Sequence, residues 1–107
     1  MKDKLGLPEV PPGLSAEAAT FWREVTRTWQ LETSSLLVLK TACECLDELR
    51  AAQRLIAAEG MVIKDRWNQS KPHPAVAIAQ QAKVTLLRYI KQLGLDLEPL
   101  GDRPGPK

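Results

Sequence analysis

Residues 36 to 60, "LLVLKTACECLDELRAAQRLIAAEG", repeat their apolar side chains at a spacing that only a helix makes contiguous. Leu39, Ala42, Leu46, Leu49, Gln53 and Ile56 recur at intervals of three and four, so at about 3.6 residues per turn they line one face. Val38, Cys45, Ala52 and Leu55 add a second row beside the first. Two rows imply either two contacts, one within the monomer and one with a neighbouring subunit, or a single broad core face. Gly60 is a typical residue to stop such a helix.

Two further segments share the helical period. Ser15 is placed to cap "AEAATFWREVTRTWQL", in which Ala18, Trp22, Val25 and Trp29 line one face while Arg23 and Arg27, one turn apart, lie away from it. "ETSS" then ends this helix and supplies caps for the next. The last helix opens at His73-Pro74, with proline in its favoured first-turn position, and continues through "AVAIAQQAKVTLLRYIKQLG". Its apolar arc holds Ile78, Ala79, Ala82, Leu86, Leu87, Tyr89, Ile90 and Leu93, and Gln80, Gln81, Arg88, Lys91 and Gln92 fill the opposite side. Lys83 projects into the apolar arc beside Ile90, where its stem can snorkel to water.

Between the last two helices, "GMVIKDRWNQSKPHPAV" alternates like a strand. The pattern predicts a strand over residues 61 to 67, a turn on Asn68 to Lys71, and a return into the final helix. An isolated two-stranded hairpin is marginal in water, so Met61, Ile63 and Trp67 need cover, which an adjacent subunit would provide. The expected fold is mainly α: an N-terminal amphipathic helix (16–30) and a long antiparallel helical hairpin (35–59 and 74–93) with a short β-hairpin (61–72) at its tip. A proline-rich arm (1–14) precedes this single domain (15–94), and a tail (95–107) too rich in proline and glycine to fold alone follows it.

Charge is unevenly placed. The chain has 107 residues and a formal net charge of +2, yet residues 32 to 60 are net acidic and the stretch from Arg66 to Leu95 holds five cations and no acid. Such a local basic excess is the footprint of a polyanion partner, or else a solvated helix face. Glu44, Asp47 and Glu48, with Lys40 and Arg50 nearby, read as a salted, solvated face. Cys43 and Cys45 lie roughly 200° apart around a helix, cannot share a metal or a bridge, and read as buried thiols in a reducing compartment.

Catalytic chemistry is absent from the pattern: there is no GxxxxGK[ST], no GxGxxG, and the single histidine, His73, sits at a helix start. No catalytic residue, metal or cofactor is expected. No stretch approaches the roughly 20 apolar residues of a membrane span, and the N-terminus has no apolar run before its prolines, so a cytosolic protein without membrane contact is expected.

The ordered set "LPEVPPGLSAEAATFWREV", "LETSSLLVL", a long helix ending in glycine, a strand-like insert, "HPAV" and "LGL" resembles the phage terminase small subunits over residues 7 to 95. The resemblance implies a non-enzymatic protein in the host cytoplasm that assembles into a homo-oligomeric ring. It also implies recognition of viral double-stranded DNA at the packaging start and regulation of the ATPase and nuclease of the terminase large subunit.

On this reading the candidate DNA contacts are Arg23 and Arg27, then Lys64, Arg66 and Lys71, then Lys83, Arg88 and Lys91. Each phosphate contact makes binding salt-sensitive, and a ring multiplies a weak site by its copy number. Met61, Ile63 and Trp67 are the candidate ring contact. Two other classes compete: an oligomeric helical adaptor that never touches DNA, and a helix-turn-helix regulator, for which "LLVLKTAC" offers little polar surface to a groove.

Overall fold

The computed structural model describes residues 6 to 95. Within them the order is α1 (Ala16–Thr28), α2 (Thr33–Glu59), β1 (Val62–Lys64), β2 (Ser70–Pro72) and α3 (Pro74–Leu93). The described part of the proline-rich stretch before α1 turns at Pro12 and Gly13 and lies against the helices. Val10 and Leu14 pack on the core, and the Trp22 indole N–H donates to the Pro8 carbonyl at 3.2 Å.

α1 begins where Ser15 caps it, the serine oxygen accepting from the Ala18 amide at 3.1 Å. Asp47 of α2 in turn accepts from the Ser15 amide at 2.9 Å and from its hydroxyl. Arg50 of α2 donates to Glu17 through its Nε–Nη2 edge at 3.0–3.1 Å and through Nη1 to Gln53 Oε1 at 2.8 Å. Asp47 and Arg50 are therefore a clamp on the start of α1, not part of a purely solvated acidic face. α1 ends at Thr28 and α2 starts at Thr33, and the expected caps from "ETSS" do not form: Glu32 takes the cap position with no side-chain bond.

α2 is the spine, and the first and second halves of its length meet two different helices. Leu39, Cys43 and Leu46 close with Ala18, Trp22 and Val25 of α1, and the Cys43 thiol points to the Ala18 carbonyl at 3.6 Å. Leu49 and Ala52, with Cys45 and Ile56 beside them, close with Ala75, Ala79 and Ala82 of α3, and the Cys45 thiol points to the Ala82 carbonyl at 3.2 Å. The division runs along the helix and not between the two rows of the sequence pattern: the first row contributes to both clusters, Cys45 and Ala52 of the second join the α3 cluster, and Leu55 of that row is exposed. The alanine-lined side of α3 lets the two long helices approach closely, since interaxial distance follows side-chain size.

α3 covers less of its own apolar arc than its projection suggests. Ala75, Ala79 and Ala82 are buried and Leu86, Tyr89, Ile90 and Leu93 half-buried, but Ile78 and Leu87 stay exposed because α2 contacts only one side. Lys83 is likewise exposed at the edge of the arc. α3 ends at Gly94 in the left-handed region (φ 76°), where a side chain would be strained, and Leu95 folds back onto the core. The remaining tail, with Leu97 and Leu100, lies outside the described residues, as do Lys2 and Lys4.

The tip is a two-stranded antiparallel ribbon in the register Val62↔Pro72, Ile63↔Lys71, Lys64↔Ser70. The strand is shorter than the alternation suggests, and Met61 and Trp67 fall outside it. The turn also comes earlier than Asn68 to Lys71. Asp65 organises it, its carboxylate accepting from the amides of Trp67 (2.9 Å) and Gln69 (3.0 Å), while Asn68 adopts φ 63° and Lys71 belongs to β2.

His73 joins ribbon to helix. Its Nδ1 accepts from the Ala75 amide at 2.9 Å, capping α3, which leaves Nε2 to donate to Glu59 at the end of α2 at 2.7 Å. With the His73 amide bonded to the Met61 carbonyl, the ribbon is held at both ends against the hairpin.

Candidate nucleic-acid interface

All eight basic residues singled out from the sequence are exposed, and the fold sorts them into three groups. Arg23 and Arg27 project from the outer side of α1, opposite the stripe that Ala18, Trp22 and Val25 bury. Arg27 pairs with Glu24 at 3.4 Å, a solvent-exposed contact worth little. It also borders a groove of about 540 Å³ beneath the N-terminal segment, whose walls include Pro8, Trp29 and Leu36.

Lys64, Arg66 and Lys71 occupy the opposite end. α2 runs about 35 Å from Leu36 to Glu59 at 1.5 Å per residue, so the base and tip groups do not converge on one patch of a single chain. Within the ribbon the register decides the directions. Lys71 shares a face with Ile63, and Lys64 shares the other with Ser70, because paired residues point the same way and neighbours alternate. Arg66 lies over the Trp67 ring, 4.6 Å from its centroid, on the turn itself. The one acid of the turn, Asp65, is occupied by backbone amides. Lys64, Arg66 and Lys71 have no acidic partner among the described residues, and neither has Arg23.

Lys83, Arg88 and Lys91 form the third group along the exposed side of α3, also without ion pairs among the described residues. Trp67 is 68% and Met61 64% exposed, whereas Ile63 is half-buried, so the three residues expected to share a ring contact do not form one face. Among the described residues no group of His, Cys, Asp and Glu is placed to hold a metal ion, and no helix is long and apolar enough to cross a membrane.

A profile of the family described as "Phage terminase, small subunit" matches residues 18–98, which takes in all three helices and the ribbon. The chain belongs to the phage terminase small-subunit family. Phage terminase small subunits serve DNA packaging and are generally non-catalytic. No curated protein and no solved structure matches the chain.

One feature of this terminase small subunit escaped the pattern of its sequence. Leu37, Leu55 and Leu87 are 63%, 47% and 62% exposed, which makes them apolar surface and not core. This corrects the placing of Leu55 in the second apolar row of α2: Leu37 and Leu55 project about 160° from Leu39, away from the buried side. Of the two thiols expected to be buried, Cys43 is buried and Cys45 half-buried. Burial, with Asp47 and Glu44 adding to it, pushes the Cys43 thiol from its ordinary value of 9.0 up to about 12, and burial with Glu48 raises Cys45 as well.

The thiolate is the reactive form, so alkylation of native protein at pH 8 will leave Cys43 unmodified and reach it only on unfolding, as mass spectrometry will show. The folded pKa of Cys43 is raised, so its contribution to stability is fully present below about pH 9. It is lost progressively as pH rises toward about 12, because the unfolded chain releases the proton first. Urea midpoints at successive pH values in that window will fall, and less steeply in Cys43→Ala.

Proposed function

We propose that this terminase small subunit assembles into a ring in the host cytoplasm, binds viral double-stranded DNA where packaging starts, and regulates the ATPase and nuclease of the large subunit. It needs no cofactor for this role. The observation that carries the DNA contact is the set of exposed cations at the two ends of the chain. Among the described residues, Arg23 at the base and Lys64, Arg66 and Lys71 at the tip have no acidic partner, in a family that serves DNA packaging. Unpaired cations release counterions from the duplex without first breaking a salt bridge.

A single chain presents too few of them in one place for tight binding. Repetition around a ring supplies the missing contacts, and avidity grows with copy number. Met61 and Trp67, both exposed at the tip, extend the contact between neighbouring copies, with Ile63 behind them. A helix-turn-helix reading fits less well: α2 is packed on two sides, and the exposed residues of its first turns, Thr33, Ser34, Leu37, Lys40 and Thr41, bring one cation to a groove.

The test pairs light scattering with duplex titration. Wild-type protein at micromolar concentration will scatter as a multiple of the chain mass. Arg23→Glu/Arg27→Glu will keep that mass but bind duplex more weakly and with a shallower salt slope. An unchanged affinity and slope removes α1 from the interface. An assembled protein that never binds duplex at low salt favours the adaptor reading.

A further inference from the structure

Two exposed stripes of opposite sign run along the hairpin. On α2, Leu37, Glu44, Glu48 and Leu55 follow one another at seven, four and seven residues, so they stack in one narrow arc. Both glutamates are exposed and neither has an ion pair among the described residues. On α3, Val84, Leu87, Arg88 and Lys91 stand at i, i+3, i+4 and i+7, on the side turned away from Ala75, Ala79 and Ala82. Val84 and Leu87 are 45% and 62% exposed, and neither cation has an ion pair among the described residues.

The stripes also lie at one height. A side groove of about 280 Å³ is lined by Glu44, Cys45 and Glu48 from α2 and by Thr85 and Tyr89 from α3. Glu44 and Glu48 are therefore level with the turn of α3 that carries Leu87 and Arg88, and Lys91 follows within one more turn.

We infer that the acidic stripe of α2 in one copy docks on the basic stripe of α3 in the next, in a head-to-tail contact between parallel hairpins. This rests on the ring reading and names the surface that makes it. Sign decides the pairing: α2 against α2 sets glutamate against glutamate, and α3 against α3 sets cation against cation. Only the heterologous arrangement is complementary. Because the two stripes are level, each copy adds by rotation without climbing along the axis, which closes a ring and does not build a filament. Leu55, Val84 and Leu87 contribute apolar area, while the charges set register and partner choice. Arg88 and Lys91 are then buried between copies and are not DNA contacts.

Glu44→Lys/Glu48→Lys and Arg88→Glu/Lys91→Glu test this by light scattering. All four positions are exposed, so each variant retains its helical circular dichroism, and each is expected to fall from the assembled mass to that of one chain. Mixed in equal amounts, the two variants will assemble again into a ring of an even number of copies, because reversed α2 meets reversed α3 and native α2 meets native α3 in alternation. The chain carrying all four changes will assemble alone. If the wild type assembles and either variant keeps its mass, or the mixture stays dissociated, the docking surface is wrong while the ring stands. A wild type that is itself monomeric overturns both.

Discussion

Trp22→Ala will lower the unfolding free energy by about 3–5 kcal/mol, the range for removing a large aromatic from a core. Trp22 is 4% exposed at the centre of the cluster that joins α1 to α2, packed with Ala18, Val25, Leu39, Cys43 and Leu46. No second tryptophan substitutes for it, since Trp29 sits at the edge of the cluster and Trp67 is on the far tip. The change also removes the donor that holds the Pro8 carbonyl, so the N-terminal segment loses its polar anchor together with the surface Val10 and Leu14 rest on. Domains of this size are stable by about 5–15 kcal/mol, so the loss is a large share of the total and shifts Tm by well over 10 °C. Thermal unfolding followed by circular dichroism checks it. Trp67→Ala, at an exposed turn, will move Tm by no more than a few degrees. Equal effects from the two substitutions contradict the placement of α1 against α2.

The second large effect is on DNA. Lys64→Glu/Arg66→Glu/Lys71→Glu replaces three unpaired cations at the ribbon with acids and leaves the hydrogen bonds of the Asp65 turn intact. Each lost phosphate contact removes about 0.9 from the slope of log affinity against log salt, so the triple change removes up to about 2.7 per chain engaged with the duplex. Reversal adds repulsion to loss, and a ring repeats it in every copy that touches DNA. Affinity at low salt is expected to fall by at least about 100-fold, with Tm and assembled mass nearly unchanged. Fluorescence anisotropy with labelled duplex measures it, and an affinity within about twofold of wild type would exclude the tip from the interface.

The sequence pattern and the structure agree where one local rule decides. Ser15 caps α1, His73-Pro74 opens α3, Gly60 and Gly94 stop their helices, and the ribbon interrupts the hairpin where the period changes from 3.6 to 2. Disagreement arises where a partner is distant in the chain. Periodicity marked the apolar side of α2 but could not say that its first half meets Ala18, Trp22 and Val25 of α1 and its second half the alanines of α3. The Asp47 and Arg50 clamps reach back more than thirty residues to Ser15 and Glu17, a pairing no local pattern encodes. Asp65 moved the turn because a side chain accepting two amides outweighs the residue types at Asn68 to Lys71. The candidate cations were legible as exposed residues. Their division between base, tip and α3 was not, since it depends on how the helices lie against one another.

The central claim, that an assembly of this chain holds duplex DNA through exposed cations, is tested most directly by titrating the wild-type protein with duplex containing the packaging start between about 50 and 200 mM salt. The prediction is a complex at the low end whose log affinity falls linearly with log salt, by a factor on the order of 10³ or more across the range. An assembled protein with no complex at low salt, or with an affinity that does not change with salt, would contradict it.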